Sequence, residues 1–508
     1  MQKNSLIIAL LGVLIGAGII LTLDKFRENR MMLQTELNDW RKLNLILQSV
    51  DRNYVDTIDR EKVTEAAAVA ALAALDPHSA YLPPENLKET ESELAGNFDG
   101  IGIQFNVPND TAIVLEVIPG GPSEKIGLMP GDRILKVDDT NIAGTSFPQD
   151  SMVRRMKGPA GTKVNITVGR GKDVIPFEIT RGKIPTHSID ASFMVNDTTG
   201  YLRLSKFART TSDEFLLACA ELLENGMQHL IVDLRDNTGG FFDQALNLSN
   251  FFLPKNSDIV YIEGMHRKKE EYKADGRGPL QSIGLTLLID DGSASSSEIF
   301  AGAIQDNHRG KLVGRRSFGK GLVQEPIYFS DGSGVRITVA RFYTPSGRCI
   351  QKPYSDDYEL EVYKRYNSAE MIYADSMKVE NGGIIPDVFV PIDTTKVGKF
   401  YIGCNNKATA MRFASAFFDG NKTTLSAIDD YGKLMEYLDR AGLEQKFLAF
   451  AKSKDGLVPT ADEWKIEQHY MMAQVRALVG RYSKLGDKAY YHLYLDIDDV
   501  VKAALDNL

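Results

Sequence analysis

The chain has 508 residues, 43% of them hydrophobic and 25% charged, the proportions of an ordinary globular protein with room for about three domains. A formal net charge of -9 argues against nucleic acid as a partner, which would call for a basic face. The three cysteines, Cys219, Cys349 and Cys404, are too few and too scattered for a disulfide framework or a zinc site, and no metal and no cofactor is expected.

Residues 6–23 are almost wholly apolar, close to the lower length for a membrane-spanning helix. Residues 1–24 are expected to be an anchor or signal segment. An uncleaved anchor is favoured because no small-x-small site precedes Asp24. Lys3 on one side and Lys25, Arg27 and Arg30 on the other leave its orientation open. Leu33, Leu37, Trp40, Leu43, Leu47 and Val50 recur at spacings of three and four, which predicts an amphipathic helix. A second helix is expected over 63–75, and the helical region over 33–92. Asp76-Pro77-His78-Ser79 reads as a turn, with no partner for His78.

From about Gly96 the texture changes to short strands with glycine turns. Strands are expected over 101–105, 112–118, 133–137 and 164–168, with a short helix over 147–156. Gly100-Ile101-Gly102-Ile103, followed by Gly127-Leu-Met-Pro-Gly-Asp-Arg-Ile-Leu135, resembles a PDZ domain, placed at 93–182. In that family a glycine loop presents backbone N–H groups to a peptide's terminal carboxylate, and the peptide adds as a strand. Gly100, Ile101, Gly102 and Ile103 are the candidate loop.

After Arg181 strands and helices alternate, the pattern of an α/β domain, placed at 183–395. Strand 230–234 runs into Arg235-Asp-Asn-Thr-Gly-Gly240. Strand 285–289 runs into Asp290-Asp-Gly-Ser-Ala-Ser-Ser-Ser297, after which Ile299, Phe300, Ala303 and Ile304 keep helical spacing. The serine cluster therefore sits on a strand-to-helix turn. Backbone N–H groups at a helix start favour negative charge, so a nucleophile there has an oxyanion site beside it. The competing reading is a capping box, Ser295-x-x-Glu298, with Glu298 and Asp306 as ordinary helix charges. Residues 352–380 read as a charged surface insertion, and 396–508 as a mainly helical region of no legible function.

Lys320 lies between Gly319 and Gly321. The run from Gly314 to Lys320 matches the start of a nucleotide-binding loop, but Gly321 stands where that loop needs Ser or Thr, and a strand rather than a helix follows. No histidine falls where it could activate Ser295, since His308 is near the far end of the helix. Lys320 is the candidate base if burial keeps its amine neutral. Gln324, four residues on, shares its face in an extended segment.

Gly292-Ser-Ala-Ser-Ser-Ser-Glu-Ile299, Ser317-Phe-Gly-Lys-Gly-Leu-Val-Gln324, Arg341-Phe-Tyr-Thr-Pro-Ser-Gly-Arg348, Asp233-Leu-Arg-Asp-Asn-Thr-Gly-Gly240 and Leu75-Asp-Pro-His-Ser-Ala-Tyr81 together resemble the carboxyl-terminal processing, or tail-specific, proteases over residues 36 to 395. Ser296 stands where that family usually has alanine. The resemblance implies a crotonase/ClpP-like α/β catalytic core with an inserted PDZ domain. It implies a serine endopeptidase in which Ser295 is the nucleophile, Lys320 the base and Gln324 its orienting partner. Gly239, Gly240 and the N–H of Ser296 would form the oxyanion hole, and Asp306 matches a supporting position. It also implies protein or peptide substrates with free, apolar C-termini, and export, with a single inner-membrane pass and the catalytic part in the periplasm. A tail-binding adaptor without chemistry is the competing class, and self-association into a homo-oligomer stays open.

Overall fold

The computed structural model describes residues 39–94, 96–107, 110–354 and 382–508. The expected anchor, the start of the first helix and most of the charged insertion lie outside the described residues. Among the described residues no helix is long and apolar enough to cross a membrane. The chain divides into two units, residues 1–75 and 76–508. The first holds helices Asp39–Asn53 and Arg60–Ala73. Asp59 caps the second by accepting from the N–H of Lys62 at 3.1 Å, and Arg60 pairs with Asp51 across the connection.

The second unit opens with β1 (Ala80–Leu82) and helix Pro84–Leu94. A module then runs from β2 (Asn97–Gly100) to β9 (Gly182–Pro185), which pair with each other at its entrance and exit. Inside it, β3 (Ile103–Asn106), β4 (Ala112–Val117), β5 (Arg133–Val137), β7 (Lys163–Arg170) and β8 (Asp173–Thr180) form one antiparallel sheet in that order, and β6 (Thr140–Asn141) adds to β5. Alternation carries its core: Val164, Ile166 and Val168 of β7 point inward against Ile134, Val137 and Met152, as a sheet with one covered face requires. This module packs on the C-terminal helices. Leu115 joins their core, and Arg133 pairs with Asp419.

The central sheet follows, in the order β10 (Ile189–Met194), β11 (Thr199–Leu204), β12 (His229–Asp233), β15 (Gly284–Ile289), β16 (Lys311–Gly314) and β19 (Val388–Phe389). Every pair after β10–β11 is parallel. Parallel strands buried on both faces need near-continuous apolar runs, and Leu230-Ile-Val232 and Leu285-Thr-Leu-Leu-Ile289 supply them. Helices Thr211–Glu224, Phe242–Phe252 and Ser296–Asp306 pack on one face through Phe215, Leu248, Phe252 and Phe300. The other face is covered from far down the chain. Val500, Val501 and Ala504 of the last helix, Asp499–Asp506, pack on Ile231, Leu288 and Val313. The C-terminal region is therefore the third layer of the α/β domain as well as a helical bundle with its own core around Phe413, Phe447 and Met471.

A second sheet frames the end of the first. β18 (Gly334–Tyr343) pairs with β17 (Leu322–Tyr328) along one edge. Along its other edge lie β1 and β13 (Asp258–Gly264), and β14 (Arg267–Lys273) completes the sheet. The β13–β14 hairpin is absent from the sequence expectations because β14, Arg-Lys-Lys-Glu-Glu-Tyr-Lys, has no apolar alternation.

Candidate active site

The serine turn is built against the loop that follows β12. After β15, the Asp290 carboxylate accepts from the N–H of Gly292 and of Asp236, both at 3.0 Å. The Ser293 hydroxyl donates to the Leu234 carbonyl at 2.8 Å, and the Asn237 carbonyl takes the Ala294 N–H and the Ser297 hydroxyl, both at 2.9 Å. These bonds hold Ser295 at φ 56 and ψ -114, outside the helical and strand regions, at the head of helix Ser296–Asp306. A non-glycine residue keeps such a conformation when its surroundings over-determine it.

Gly239 and Gly240 pass directly over this turn, at φ 99 and 148. A Cβ on Gly239 would stand 2.8 Å from Ser295 Cβ, and one on Gly240 would stand 2.1 Å from the Phe207 carbonyl oxygen. The two glycines differ in what their N–H groups do. That of Gly239 donates to Asn237 Oδ1 at 2.9 Å. Gly240 pairs with Phe207 as a parallel bridge, in which the flanking residues make the bonds and the central residue turns its own N–H and C=O to the other side. There its carbonyl accepts from the Ser296 hydroxyl at 3.0 Å. Among the described residues neither the Gly240 nor the Ser296 N–H has an acceptor.

Glu298 joins the serine turn to the lysine loop. Oε2 accepts from the backbone N–H of Ser295 at 2.9 Å and of Lys320 at 2.8 Å. Oε1 accepts from the Ser317 hydroxyl at 2.5 Å and the Gly319 N–H at 2.7 Å. The side chain is fully buried. Burial pushes its carboxyl above the usual range, against the pull of these four bonds. Glu298 is thus no ordinary helix charge. The capping-box spacing was the signal for it, but spacing alone does not say that the second oxygen reaches another loop.

The Lys320 amine has no hydrogen bond among the described residues, so Ser295 and Lys320 are tied through their backbones and not through a direct side-chain contact. Burial holds the amine below the ordinary lysine range, Arg336 adds to this, and Glu298 and Asp76 oppose it. Gln324 lies on β17. Its Nε2 donates to the His78 carbonyl at 2.7 Å, leaving Oε1 as an acceptor. A β-bulge lies beside it, between the pairs Val323–Ala340 and Gln324–Thr338. The extra residue is on β18, so β17 runs on unbroken and keeps Gln324 on its face.

The Asp76–Ser79 turn is part of this site, which corrects the reading of His78 as partnerless. Asp76 Oδ1 accepts from the N–H groups of His78 and Ser79 at 2.8 and 2.7 Å, and Oδ2 from the Ser79 hydroxyl at 2.8 Å. Ser79 in turn accepts from the Thr338 N–H at 3.2 Å. The turn thereby fixes the carbonyl that holds Gln324. Burial and then the nearby Lys320 charge push the His78 imidazole down to about 4, so it is neutral at physiological pH.

Asp306 is at the opposite end of the serine helix, about 16 Å away at 1.5 Å per residue. It pairs with Arg348 and accepts from the Ser346 N–H at 2.9 Å. Its place is in anchoring the 344–348 turn, outside the Ser295–Lys320 group. Lys352, expected on a surface insertion, is buried instead, with its amine 4.3 Å from the Phe318 ring centroid.

The loop carrying Gly239 and Gly240 begins at a buried ionic cluster. Asp233 takes the Tyr201 hydroxyl at 2.7 Å, Arg235 at 2.6 and 2.9 Å, and Arg203 at 3.0 Å. Arg235 then makes a second fork, to Asp498 at 3.0 and 2.6 Å. Asp498 also caps the last helix. No sequence signal pairs residues this far apart. Asp498→Ala removes one of the two carboxylates facing a buried guanidinium. The expected loss is about 3–5 kcal/mol of stability, read as a lower urea midpoint, with Asp498→Glu recovering part of it.

In the PDZ-like module, the Ile101 carbonyl accepts from the Ser123 N–H and hydroxyl at 3.0 and 2.6 Å, and the Gly102 carbonyl from the Ile118 N–H at 3.1 Å. The carbonyls are tied down, while the N–H groups of Ile101 and Gly102 have no acceptor among the described residues. Gly102 has φ 77, which suits a loop whose N–H groups turn to one side. Ile103 opens β3, the end strand of its sheet, so one strand edge is unpaired.

The profile of peptidase family S41 matches residues 198–360, and that of the PDZ domain matches residues 100–180. A probable CtpA-like serine protease of Staphylococcus epidermidis is 30% identical over 350 residues, covering 68% of this chain and 70% of that protein. The chain belongs to the carboxyl-terminal processing proteases of peptidase family S41. It is a serine-type endopeptidase with a PDZ domain, and its substrates are peptides or proteins. A probable CtpA-like serine protease of Staphylococcus saprophyticus is 29% identical over 389 residues, covering 76% of this chain and 77% of that protein. The solved photosystem II D1 C-terminal processing protease is 28% identical, with a TM-score of 0.40, over 70% of this chain and 88% of that one. The two profiles fall on the α/β core and the PDZ domain, and the helical C-terminal region lies beyond them.

Proposed function

We propose that this processing protease cleaves with Ser295 as nucleophile and neutral Lys320 as base. Lys320 takes the hydroxyl proton as Ser295 Oγ bonds to the scissile carbonyl carbon. The oxyanion that forms sits between the N–H groups of Gly240 and Ser296. Gly239 is left out of that role because its N–H is committed to Asn237. As the tetrahedral intermediate collapses, the C–N bond breaks and the Lys320 ammonium gives its proton to the leaving amine. Water then hydrolyses the acyl-enzyme, with Lys320 again taking a proton. Gln324 Oε1 accepts from the Lys320 amine when substrate closes the site. Apo geometry in such sites is often looser than in the complex.

The observation that carries this reading is the sharing of Glu298 Oε2 by the backbones of Ser295 and Lys320. One buried oxygen ties the backbones of the proposed nucleophile and base, beside two N–H groups that have no acceptor among the described residues.

The loop Gly100–Ile103 holds the substrate's terminal carboxylate, and the tail adds along β3. Residues 1–24 anchor the chain in the inner membrane with the catalytic part in the periplasm. Both belong to this proposal and rest on the sequence and the family resemblance. The test is cleavage of an unstructured peptide ending in apolar residues, compared with its amidated twin and with the Ser295→Ala chain. Cleavage by Ser295→Ala at the parent rate excludes the serine. Amidation is expected to raise KM about tenfold, and an unchanged KM excludes tail capture.

A further inference from the structure

The ribbon β17–β18 presents one face to the reacting groups. Residues directly opposite in a sheet share a face. Gln324 opposes Thr338, while Arg336 opposes Pro326 on one side and Ala80 on the other. Arg336 and Thr338 are two apart in one strand, so they also share a face. Gln324, Thr338 and Arg336 are therefore neighbours, with Arg336 on the diagonal from Gln324. The side-chain contacts of this face agree: Gln324 reaches the His78 carbonyl, and the Ser79 hydroxyl lies 3.5 Å from Thr338 Oγ1.

Arg336 has no ion-pair partner on this face among the described residues. Among the described residues no ion pair or hydrogen bond engages its guanidinium, and its Nε is buried without an acceptor. A buried donor without a partner is rare enough to need a reason. The nearby carboxylates are all committed. Asp76 is filled by His78 and Ser79, Glu298 by its four donors, and Glu325 pairs with Arg267. The remaining charges near His78 are Lys320 and Lys352. Lys352 and Arg336 are thus the cations beside His78 apart from Lys320 itself, and Arg336 shares its sheet face with Gln324.

We infer that Arg336 is a specificity residue that binds a carboxylate of the substrate close to the scissile bond, as a fork on a carboxylate. This rests on the assignment of Ser295 and Lys320 given above. The matching geometry is the bidentate guanidinium–carboxylate pair. The carboxylate comes either from an acidic side chain or, in a peptide too short past the cut for its end to occupy the PDZ loop, from the free C-terminus. In both cases the ligand is the same group, and binding it supplies the partner that the fold withholds from Arg336. The Arg336 charge also depresses the Lys320 amine, so its removal alters the base as well. For that reason the measure is a ratio between two peptides within one enzyme, where the change in Lys320 cancels.

The experiment uses the full chain and four peptides of one sequence. They carry Asp or Asn two residues past the cut, with a free or amidated end, and kcat and KM are measured for the parent, Arg336→Lys, Arg336→Gln and Arg336→Glu. The parent is expected to favour one carboxylate-bearing peptide about 10- to 100-fold in kcat/KM, mostly through KM. Which peptide it favours identifies the source of the carboxylate. Arg336→Gln is expected to lose that ratio, Arg336→Lys to keep part of it, and Arg336→Glu to favour a peptide with Lys in place of Asp. A parent that cleaves all four alike, or an Arg336→Gln chain that keeps the parent's ratio, overturns the inference. Cleavage of none of the peptides by the parent counts against the assignment of Ser295 and Lys320 instead. Equal thermal midpoints for parent and variants exclude misfolding as the cause.

Discussion

Replacing Lys320 with alanine is expected to slow peptide cleavage by at least about 10³-fold, with KM little changed. As the proposed base the lysine acts only without its proton, and its amine is held below the ordinary range by burial and by Arg336. In the parent, cleavage should rise as pH climbs through this lowered value and level off before an ordinary lysine would deprotonate. The same shift has a consequence for stability. The folded chain holds the lysine proton more weakly than the unfolded chain. The amine therefore costs stability on the acid side of its folded value, and the cost fades as pH rises through that value towards the unfolded one. Lys320→Met, similar in length and neutral, is expected to abolish cleavage and raise the thermal midpoint at pH 7. A midpoint that falls would mean that the amine stabilises the fold, and a variant that still cleaves would remove Lys320 from the chemistry.

Sequence periodicity located most of the α/β core because its strands are buried on both faces. Leu230-Ile-Val232 and Leu285-Thr-Leu-Leu-Ile289 are apolar throughout, and a turn follows each. The motif residues were legible as residues, but the bonds between them were not. Gly239 and Gly240 look alike in sequence. They separate only when Asn237 Oδ1 takes one N–H and the Phe207 bridge turns the other away. His78 reads as part of a turn because the group it contributes is a backbone carbonyl, which leaves no side-chain signature. The last helix falls within 396–508, which reads only as a mainly helical region of no legible function. Its partner strands lie some two hundred residues or more earlier, and its cap Asp498 meets Arg235 through an ion pair that no spacing rule encodes. What stayed hidden is in each case a contact that the packing of the whole domain specifies, whether a polar bond or the seat of an apolar helix face, and not the local pattern.

Glu298→Gln tests the bracket that this packing creates. The substitution keeps shape and volume but converts an acceptor-only group into one with an NH₂. All four partners of Glu298 are donors, three backbone N–H groups and the Ser317 hydroxyl. The hydroxyl can turn to accept instead, since Ser317 also takes the N–H of Ile384 at 2.6 Å, but the backbone groups cannot. In either orientation the new NH₂ faces at least one backbone donor in a buried site. Each donor left without an acceptor costs about 1–3 kcal/mol. If the NH₂ falls on the Oε2 side, both Ser295 and Lys320 lose their tie. If it falls on the Oε1 side, the loss is at Gly319, one residue before Lys320. The expected outcome is a lowered thermal midpoint and a fall of about 10²-fold in kcat, with KM within a factor of about three, because the displaced groups are those proposed to react and not those that bind. Glu298→Leu leaves all four donors without their acceptor and should cost several kcal/mol. A Glu298→Gln chain that unfolds earlier but cleaves at the parent rate would show that the carboxylate supports the fold without aligning Ser295 and Lys320. In that case the alignment must come from the Asn237 contacts to Ala294 and Ser297, which hold the serine turn from its other side.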